Sequence, residues 1–112
     1  MFVDADFDHK IYAHMIVNSE ALLVDKWGSR SGGNVWDRNW RANAKVATHI
    51  GSDFWSLEYE LRFDSERFPH PSPGTLWGFN VVRVVHGQEY CQWVRTEDSG
   101  HKPDEFGFLR FR

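Results

Sequence analysis

The sequence predicts an all-β fold, a sandwich or barrel of short strands, and three observations support that prediction. Residues 54–63 alternate apolar and polar side chains, so every second residue can face a core, as in a strand with one buried face. Several other apolar runs have strand length and are separated by glycine, proline or polar turns. Aromatic residues make up 16% of the chain, and their large rigid rings suit the flat surfaces of sheets. No convincing amphipathic helix is present, which disfavours an α/β layering.

The predicted strands share an apolar or β-branched composition and flanking turn residues: they are residues 10–17, 21–25, 44–50, 54–63, 76–86, 90–95 and 106–111. The glycine-bearing segment 86–89 predicts a hairpin between the two strands that flank it. Residues 29–33 (SRSGG) predict a flexible loop, and residues 68–74 predict another, because three prolines remove backbone donors there. At 112 residues the chain fits a single domain, residues 1–112.

Composition disfavours several classes of protein. The formal net charge is -3 and the sequence pI is near 6.0, so no overall positive field favours nucleic acid. Cys91 is the only cysteine, which excludes an internal disulfide and a site of several thiolates. No apolar run approaches the roughly 20 residues that span a bilayer, and residues 1–10 lack the apolar core of a signal peptide. We therefore expect neither a membrane partner nor an export signal in this chain.

Two strands carry charged side chains that admit more than one interpretation. Glu58 and Glu60 share one face of the alternating strand, a spacing that could serve a glycosidase, although alternating charge is typical of a solvated sheet face. Asn80 and Arg83 are three residues apart, so one of them faces inward unless a bulge intervenes. A buried arginine needs a carboxylate, and Glu58 is the predicted partner of Arg83. A role for Arg83 in contacting a ligand is the alternative.

Metal and cofactor sites have little support in the sequence. Asp4, Asp6 and Asp8 place oxygen ligands at alternate positions, so calcium is conceivable, but the glycine and the twelfth-position glutamate of an EF-hand are absent. Negative charge at a strand edge is the simpler interpretation. The six histidines have no zinc-ligand spacing, and no motif for acyl transfer, nucleotide hydrolysis or dinucleotide binding occurs. We expect no cofactor and no catalytic residue.

Three tryptophans surround the glycine-bearing loop. Trp27, Trp36 and Trp40 could present exposed indole faces, which offer a flat apolar surface to the C–H face of a sugar ring. Alternatively they close the open end of the sandwich, since large aromatic side chains are buried on average. The first interpretation predicts a ligand surface, whereas the second predicts only core.

A series of residues also runs through nearly the whole chain in a fixed order: Phe2-Val3-Asp4, His9-Lys10, Tyr12, Val17-Asn18, Trp55, Glu58, Gly78-Phe79-Asn80, Trp93 and Pro103-x-x-Phe106-Gly107-Phe108-Leu109. In this order the chain resembles the family 9 carbohydrate-binding modules and their wider relatives. The resemblance implies a β-sandwich of jelly-roll type, found in secreted bacterial proteins and often attached to xylanases or other polysaccharide-degrading enzymes. It therefore implies an extracellular or periplasmic location.

The resemblance also assigns positions in the sugar site. Asn18 matches the family's asparagine, whereas Ile16 stands where the family has an arginine. Gly100 and His101 stand where the family has one of its two clamping tryptophans. The other tryptophan, the glutamate and the N-terminal strands precede the start of this chain. We therefore expect an incomplete N-terminal side, with exposed sheet edges that could pair in a homodimer.

Three hypotheses for function follow. The first is a non-catalytic domain that binds plant or algal polysaccharide or its oligosaccharides. Its predicted ligand-binding residues are Asn18, Trp27, Trp36, Trp40 and His101. The second is a structural or protein-interaction domain that has lost the sugar site, in which those tryptophans are buried. The third is a glycan-processing enzyme that uses Glu58 or Glu60, which needs a cleft between two carboxyl groups.

Overall fold

The computed structural model describes residues 1–30, 33–97 and 100–112. Within these ranges the chain forms ten strands and one short 3-10 helix. The elements are β1 (Phe2–Asp4), β2 (Tyr12–Val17), β3 (Leu23–Ser29), β4 (Val35–Asp37), β5 (Lys45–Ile50), β6 (Trp55–Glu60), β7 (Leu76–Asn80), β8 (Val82–Val85), β9 (Glu89–Gln92), the 3-10 helix (Pro103–Glu105) and β10 (Gly107–Arg110). Ser31 and Gly32 of the predicted loop 29–33 lie outside the described residues.

A six-stranded sheet in the order β10, β7, β1, β2, β3, β4 forms the centre of the fold. Two hairpins, β5 with β6 and β8 with β9, each form a separate two-stranded sheet. All the strand pairings in the described ranges are antiparallel. The all-β prediction is therefore confirmed, and the antiparallel sheets are consistent with a β-sandwich.

One face of the central sheet carries the main core. Val3 pairs with Ala13, and Ala13 pairs with Trp27; directly paired residues of antiparallel strands point to the same side of the sheet. The β5–β6 hairpin lies over this face, where the hydroxyl group of Tyr59 donates to Sδ of Met15 at 2.9 Å. The other buried members of this core are Ala5, Ala42, Phe68 and Trp77. Burying each large apolar side chain stabilises the fold by roughly 1.5–3 kcal/mol.

A smaller aromatic cluster covers the opposite face. Phe2, Tyr12 and Phe106 are buried there, and Trp36 and Val82 pack against them. The rings of Phe2 and Tyr12 lie 5.9 Å apart, and those of Tyr12 and Phe106 lie 5.6 Å apart, both in edge-to-face geometry. Such aromatic pairs contribute about 0.5–1.5 kcal/mol beyond the area they bury. The residues after the β8–β9 hairpin are thereby held against β1 and β2.

The predicted strand 76–86 is two strands that belong to different sheets. β7 ends at Asn80, whose side chain is fully buried. The Asn80 amide donates through Nδ2 to the carbonyl oxygen of Val94 at 2.9 Å, and Oδ1 accepts from the N–H groups of Val94 at 3.0 Å and Val81 at 2.9 Å. This side chain takes the place of a backbone ladder partner, so the chain leaves the central sheet at Val81.

The predicted ion pair between Glu58 and Arg83 is wrong. Arg83 pairs instead with Glu89, across the β8–β9 hairpin. Glu58 is exposed on β6, directly opposite Ala47. The prediction treated residues 76–86 as one strand, whereas the break after Asn80 moves Arg83 into another sheet. Of Asn80 and Arg83, one of which was expected to face inward, Asn80 is buried and Arg83 is exposed.

Two segments expected to be loops contribute strands. Trp27 lies in β3, which extends beyond the predicted 21–25, and Trp36 lies in the three-residue strand β4. The proline-bearing segment 68–74 contains no strand, as predicted. The described residues contain no helix with the length and apolar character needed to cross a membrane.

Candidate functional site

The edge formed by β3 and β4 is built on a close approach of two backbones. Gly28 of β3 pairs with Trp36 of β4 and has a φ of +154°. A Cβ atom at Gly28 would lie 2.0 Å from the carbonyl oxygen of Val35. Glycine is therefore required for β4 to pair at this distance. The pairing places Trp27 and Asp37 on one side of the edge and Trp36 on the other.

A cavity of about 630 Å³ lies beside this edge on the Trp27 side. Its walls come from the β1–β2 loop, from β3, from β4 and from the segment after β6. The lining residues are His9, Lys10, Ile11, Trp27, Gly28, Ser29, Val35, Asp37 and Arg67. An apolar wall with a few polar and charged groups at this volume is typical of sites for small ligands.

The Trp27 ring forms part of the cavity wall but is not an exposed platform. Its side chain is 7% exposed, and the Arg67 guanidinium lies over the ring at 4.8 Å from its centroid. The rings of Trp40 and Phe68 lie 5.4 and 6.1 Å away. Among the described residues, the Trp27 indole N–H has no hydrogen-bond partner. Trp27 is thus chiefly a core residue whose edge reaches the cavity.

The polar groups of the cavity are fixed by local hydrogen bonds. Oδ1 of Asp37 accepts from the N–H groups of Asn39 at 3.0 Å and Trp40 at 3.1 Å, which holds the turn after β4. Nδ1 of His9 lies 3.1 Å from the carbonyl oxygen of Pro103. Lys10 forms a long ion pair with Asp8, with Nζ and Oδ2 separated by 3.9 Å. The contacts of Asp37 and His9 orient these two side chains before any ligand arrives, which reduces the entropy lost on binding.

On the other side of the edge, aromatic and imidazole rings form one packed group. Trp36 and His101 lie 5.8 Å apart, and His14 and His101 lie 4.8 Å apart, in edge-to-face geometry. His14 stacks on Phe2 with a centroid distance of 4.3 Å. Burial, together with the nearby positive charges of the Met1 ammonium group, His101 and Lys26, lowers the pKa of His14 to about 3. His14 is therefore neutral near pH 7.

A second cavity, of about 310 Å³, flanks β3 beside the same edge. Its lining combines apolar and mostly cationic side chains: Ile16, Leu23, Val24, Asp25, Lys26, Arg38 and Arg41. Lys26 Nζ lies 4.2 Å from the centroid of the Trp36 ring, a cation–π contact. Lys26, which lines the second cavity, therefore contacts the packed group of rings at Trp36.

Three carboxylates, at the end of β1 and in the segment that follows it, could hold a hard cation. One oxygen from each of Asp4, Asp6 and Asp8 lies within 4.8 Å of the others. Asp4 is fully buried; Oδ2 accepts from the His9 N–H at 3.0 Å, and Oδ1 has no partner among the described residues. Burial, together with the neighbouring Asp6 carboxyl group, raises the pKa of Asp4 to about 6. Oxygen ligands of this kind suit calcium, the cation considered from the sequence.

The five predicted ligand-binding residues do not form one surface. Trp27 and Trp40 meet on one side of the central sheet, and Trp36 and His101 meet on the other. Asn18 lies in the β2–β3 turn, where Oδ1 accepts from the N–H groups of Glu20 and Leu22. That turn is at the opposite end of β3 from Gly28, roughly 17 Å away at the strand rise of about 3.3 Å per residue. Asn18 therefore stabilises a turn, and His101, which is 9% exposed, is mainly internal.

Sequence reasoning missed several residues that line the first cavity. Asp37 and Arg67 were not singled out, although Asp37 directly follows a tryptophan near the glycine-bearing loop. Arg67 carries no local signal, because it reaches Trp27 only through tertiary packing. The two carboxylates of the enzyme hypothesis, Glu58 and Glu60, are exposed on β6, and neither lines the first or the second cavity.

Comparisons with known proteins do not connect this arrangement to a family. No protein-family model matches the chain, and neither the curated proteins nor the solved structures gave a significant match. The residues that line the β3–β4 edge are therefore the basis for any functional assignment.

Proposed function

We propose that this chain is a non-catalytic carbohydrate-binding domain for plant or algal polysaccharide or its oligosaccharides, and that the first cavity is the sugar site. The observation that carries the proposal is the composition of that cavity: the edge of Trp27 and the side chain of Ile11 supply apolar surface, while Asp37 and Arg67 supply charged hydrogen-bonding groups. A sugar ring needs this combination, because its C–H faces are apolar and its rim carries hydroxyl groups.

The volume of the cavity supports a short ligand or the end of a chain. At about 630 Å³ it lies within the range of about 300–1,000 Å³ that small-molecule sites occupy. Trp27 differs from the predicted platform, because Arg67 already covers one face of its ring. The sugar would therefore contact the ring edge and the guanidinium group. The jelly-roll topology, the extracellular or periplasmic location and an association with polysaccharide-degrading enzymes belong to the same proposal.

Isothermal titration of the 112-residue chain with xylo-, cello- and galacto-oligosaccharides tests this proposal. Asp37→Asn keeps the oxygen that accepts from Asn39 and Trp40 but removes the charge, and Arg67→Ala removes the cover of Trp27. We expect each variant to weaken binding about tenfold or more, since a lost hydrogen bond to a charged group costs about 1.5–3 kcal/mol. Arg95→Ala, at an exposed arginine outside both cavities, is the control.

A folded chain that gives no heat with any oligosaccharide would overturn the proposal. Binding that is unchanged in both Asp37→Asn and Arg67→Ala would show that the first cavity is not the site. A circular dichroism spectrum of each variant establishes folding before the titration is interpreted.

A second candidate, a structural or protein-interaction domain, is favoured by one observation. The β5–β6 hairpin exposes a cluster of large apolar side chains, with exposed fractions between 37% and 63%: Ile50, Phe54, Trp55 and Leu57. Exposed apolar clusters of this kind mark interaction surfaces. A homodimer through exposed sheet edges is the specific form of this proposal.

Light scattering over a range of protein concentrations tests the second candidate. We expect a concentration-dependent dimer that Leu57→Lys weakens, because the new charge would be buried in the interface. Ser56→Lys adds the same charge at the adjacent exposed position, which points to the other side of β6, and should leave the dimer intact. A monomer at every concentration would exclude self-association.

A further inference from the structure

The charges around the β3–β4 edge differ in sign from the chain as a whole. The chain has a formal net charge of -3, yet Lys10 and Arg67 face a single carboxylate, Asp37, in the first cavity. The second cavity is lined by the cations Lys26, Arg38 and Arg41 and by one carboxylate, Asp25. Both cavities thus concentrate positive charge on an acidic protein.

The carboxylate of the second cavity is already engaged. Asp25 is 8% exposed, and its Oδ2 accepts from the N–H of Ala42 at 2.7 Å. Its Oδ1 lies 3.6 Å from the Arg41 guanidinium. Asp25 therefore compensates Arg41. Within residues 1–30, 33–97 and 100–112, Lys26, Arg38 and Arg67 form no ion pair.

Lys26 is held in an unfavourable electrostatic position. Its Nζ atom lies over the Trp36 ring, where partial burial together with the charges of Arg38 and Arg30 lowers the pKa of Lys26. Partial burial and repulsion from the neighbouring positive charges both disfavour the charged form of Lys26. An anion bound between Lys26 and Arg38 would remove this repulsion, and uncompensated charge in a cavity is a common mark of a binding site.

The second cavity also offers apolar surface beside these cations. Ile16 and Val24 pair directly across β2 and β3 and remain 48% and 59% exposed. A ring with one apolar face and one anionic substituent matches such a wall. Guanidinium groups bind planar carboxylates in bidentate fashion, and both guanidinium and ammonium groups bind sulfate.

We propose that the glycan bound at the β3–β4 edge is anionic, and that the second cavity is the subsite for its carboxylate or sulfate group, held by Lys26 and Arg38. The inference rests on the proposed carbohydrate-binding function and specifies its ligand class. A sugar residue in the first cavity would contact β4 at Val35 and Asp37, and a charged substituent or neighbouring residue in the second would contact Arg38, which directly follows that strand.

Titration of the 112-residue chain with three oligosaccharides of matched length tests the inference: oligogalacturonate, a sulfated carrageenan oligosaccharide and neutral galacto-oligosaccharide. We expect at least one anionic ligand to bind about tenfold more tightly than the neutral one at low salt, with the difference shrinking as ionic strength rises. The tighter of the two anionic ligands identifies the charged group.

Arg38→Gln tests whether the Arg38 guanidinium binds the anionic group of the ligand. Arg38 is exposed, so its replacement does not disturb a core. We expect this variant to lose about tenfold in affinity for the anionic ligand and little for the neutral one. Arg110→Gln makes the same change on β10, at the opposite edge of the same sheet, and should bind as the parent chain does.

The outcomes separate the inference from the function on which it rests. Equal affinity for neutral and anionic ligands overturns the inference and leaves carbohydrate binding intact. Equal weakening by Arg38→Gln and Arg110→Gln indicates diffuse charge attraction and also overturns the subsite. Absence of binding to all three ligands and to the neutral xylo- and cello-oligosaccharides overturns the proposed function itself.

Discussion

The hydroxyl group of Tyr12 lies 2.8 Å from Nδ1 of His101 and joins β2 to the segment before the 3-10 helix. Both side chains are largely buried, with exposed fractions of 0% and 9%. The Tyr12 oxygen also lies 3.4 Å from the N–H of Arg30, which donates to it, so the tyrosine proton can be donated to His101. A contact between two buried polar groups of this kind fixes how the C-terminal segment packs on the central sheet.

Tyr12→Phe is expected to destabilise the fold by about 1–2 kcal/mol, because His101 keeps its buried nitrogen but loses the hydroxyl group beside it. Urea denaturation measures the change. Tyr59→Phe is the matched control: its hydroxyl donates to the Met15 sulfur at 2.9 Å, and a thioether is a weak acceptor. A loss in Tyr59→Phe as large as that in Tyr12→Phe would contradict this account.

The stability of the chain should fall as pH drops from 6.5 toward 3 through protonation of His14. Burial, with nearby positive charge, lowers the pKa of His14 from 6.5 to about 3 in the folded state. The unfolded chain therefore binds the proton first, and a stabilisation on the order of a few kcal/mol, complete above pH 6.5, is lost across this window. His14→Phe should remove this part of the pH dependence.

Chemical denaturation of both proteins at several pH values measures the effect. The difference in the free energy of unfolding between the parent chain and His14→Phe isolates His14 from the other titrating groups. His70→Phe, in the exposed loop 68–74, serves as the control substitution. A difference that stays constant between pH 3 and 6.5 would show that His14 does not titrate as described.

Asn80→Ala is expected to cost about 3 kcal/mol, since it removes three hydrogen bonds to the backbone of Val81 and Val94 and leaves buried groups unpaired. Thermal unfolding should show a clearly lowered Tm. Asn39→Ala, at an exposed asparagine in the turn after β4, should change Tm little. Similar Tm values for the two variants would argue against Asn80 as the residue that fixes the break between β7 and β8.

Gly28→Ala should destabilise the chain by about 3 kcal/mol or more and weaken ligand binding at the same time, because a Cβ atom at Gly28 would meet the Val35 backbone. Gly74→Ala provides a comparison. Gly74 has a φ of +93°, but a Cβ atom there would meet no other atom within 4 Å, so that change should cost about 1–2 kcal/mol and leave binding intact. Titration and urea denaturation of both variants check these expectations.

The strands were predictable where side-chain pattern and turn residues agree. β6 alternates apolar and polar residues, and the β8–β9 hairpin is marked by Gly87 and β-branched residues. The break at Asn80 was not predictable, because it depends on hydrogen bonds to Val94, which is distant in sequence. β4 was missed since three residues are too few to show a period.

The candidate site was less predictable than the fold. The sequence singles out Trp27, which does reach a cavity, but its burial by Arg67, Trp40 and Phe68 depends on tertiary contacts. Asn18 looked like a ligand contact and instead holds its own turn. Short polar side chains favour such local hydrogen bonds, which a linear pattern does not distinguish from binding.

The shortness of β4 has a consequence for how the two cavities respond to occupancy. Val35 and Asp37 face one cavity, and the next residue, Arg38, lines the other. We therefore expect a ligand that displaces this three-residue strand in the first cavity to move Arg38 in the second. If binding in the first cavity changes the affinity of the second, thermodynamic reciprocity requires that binding in the second changes the affinity of the first by the same factor.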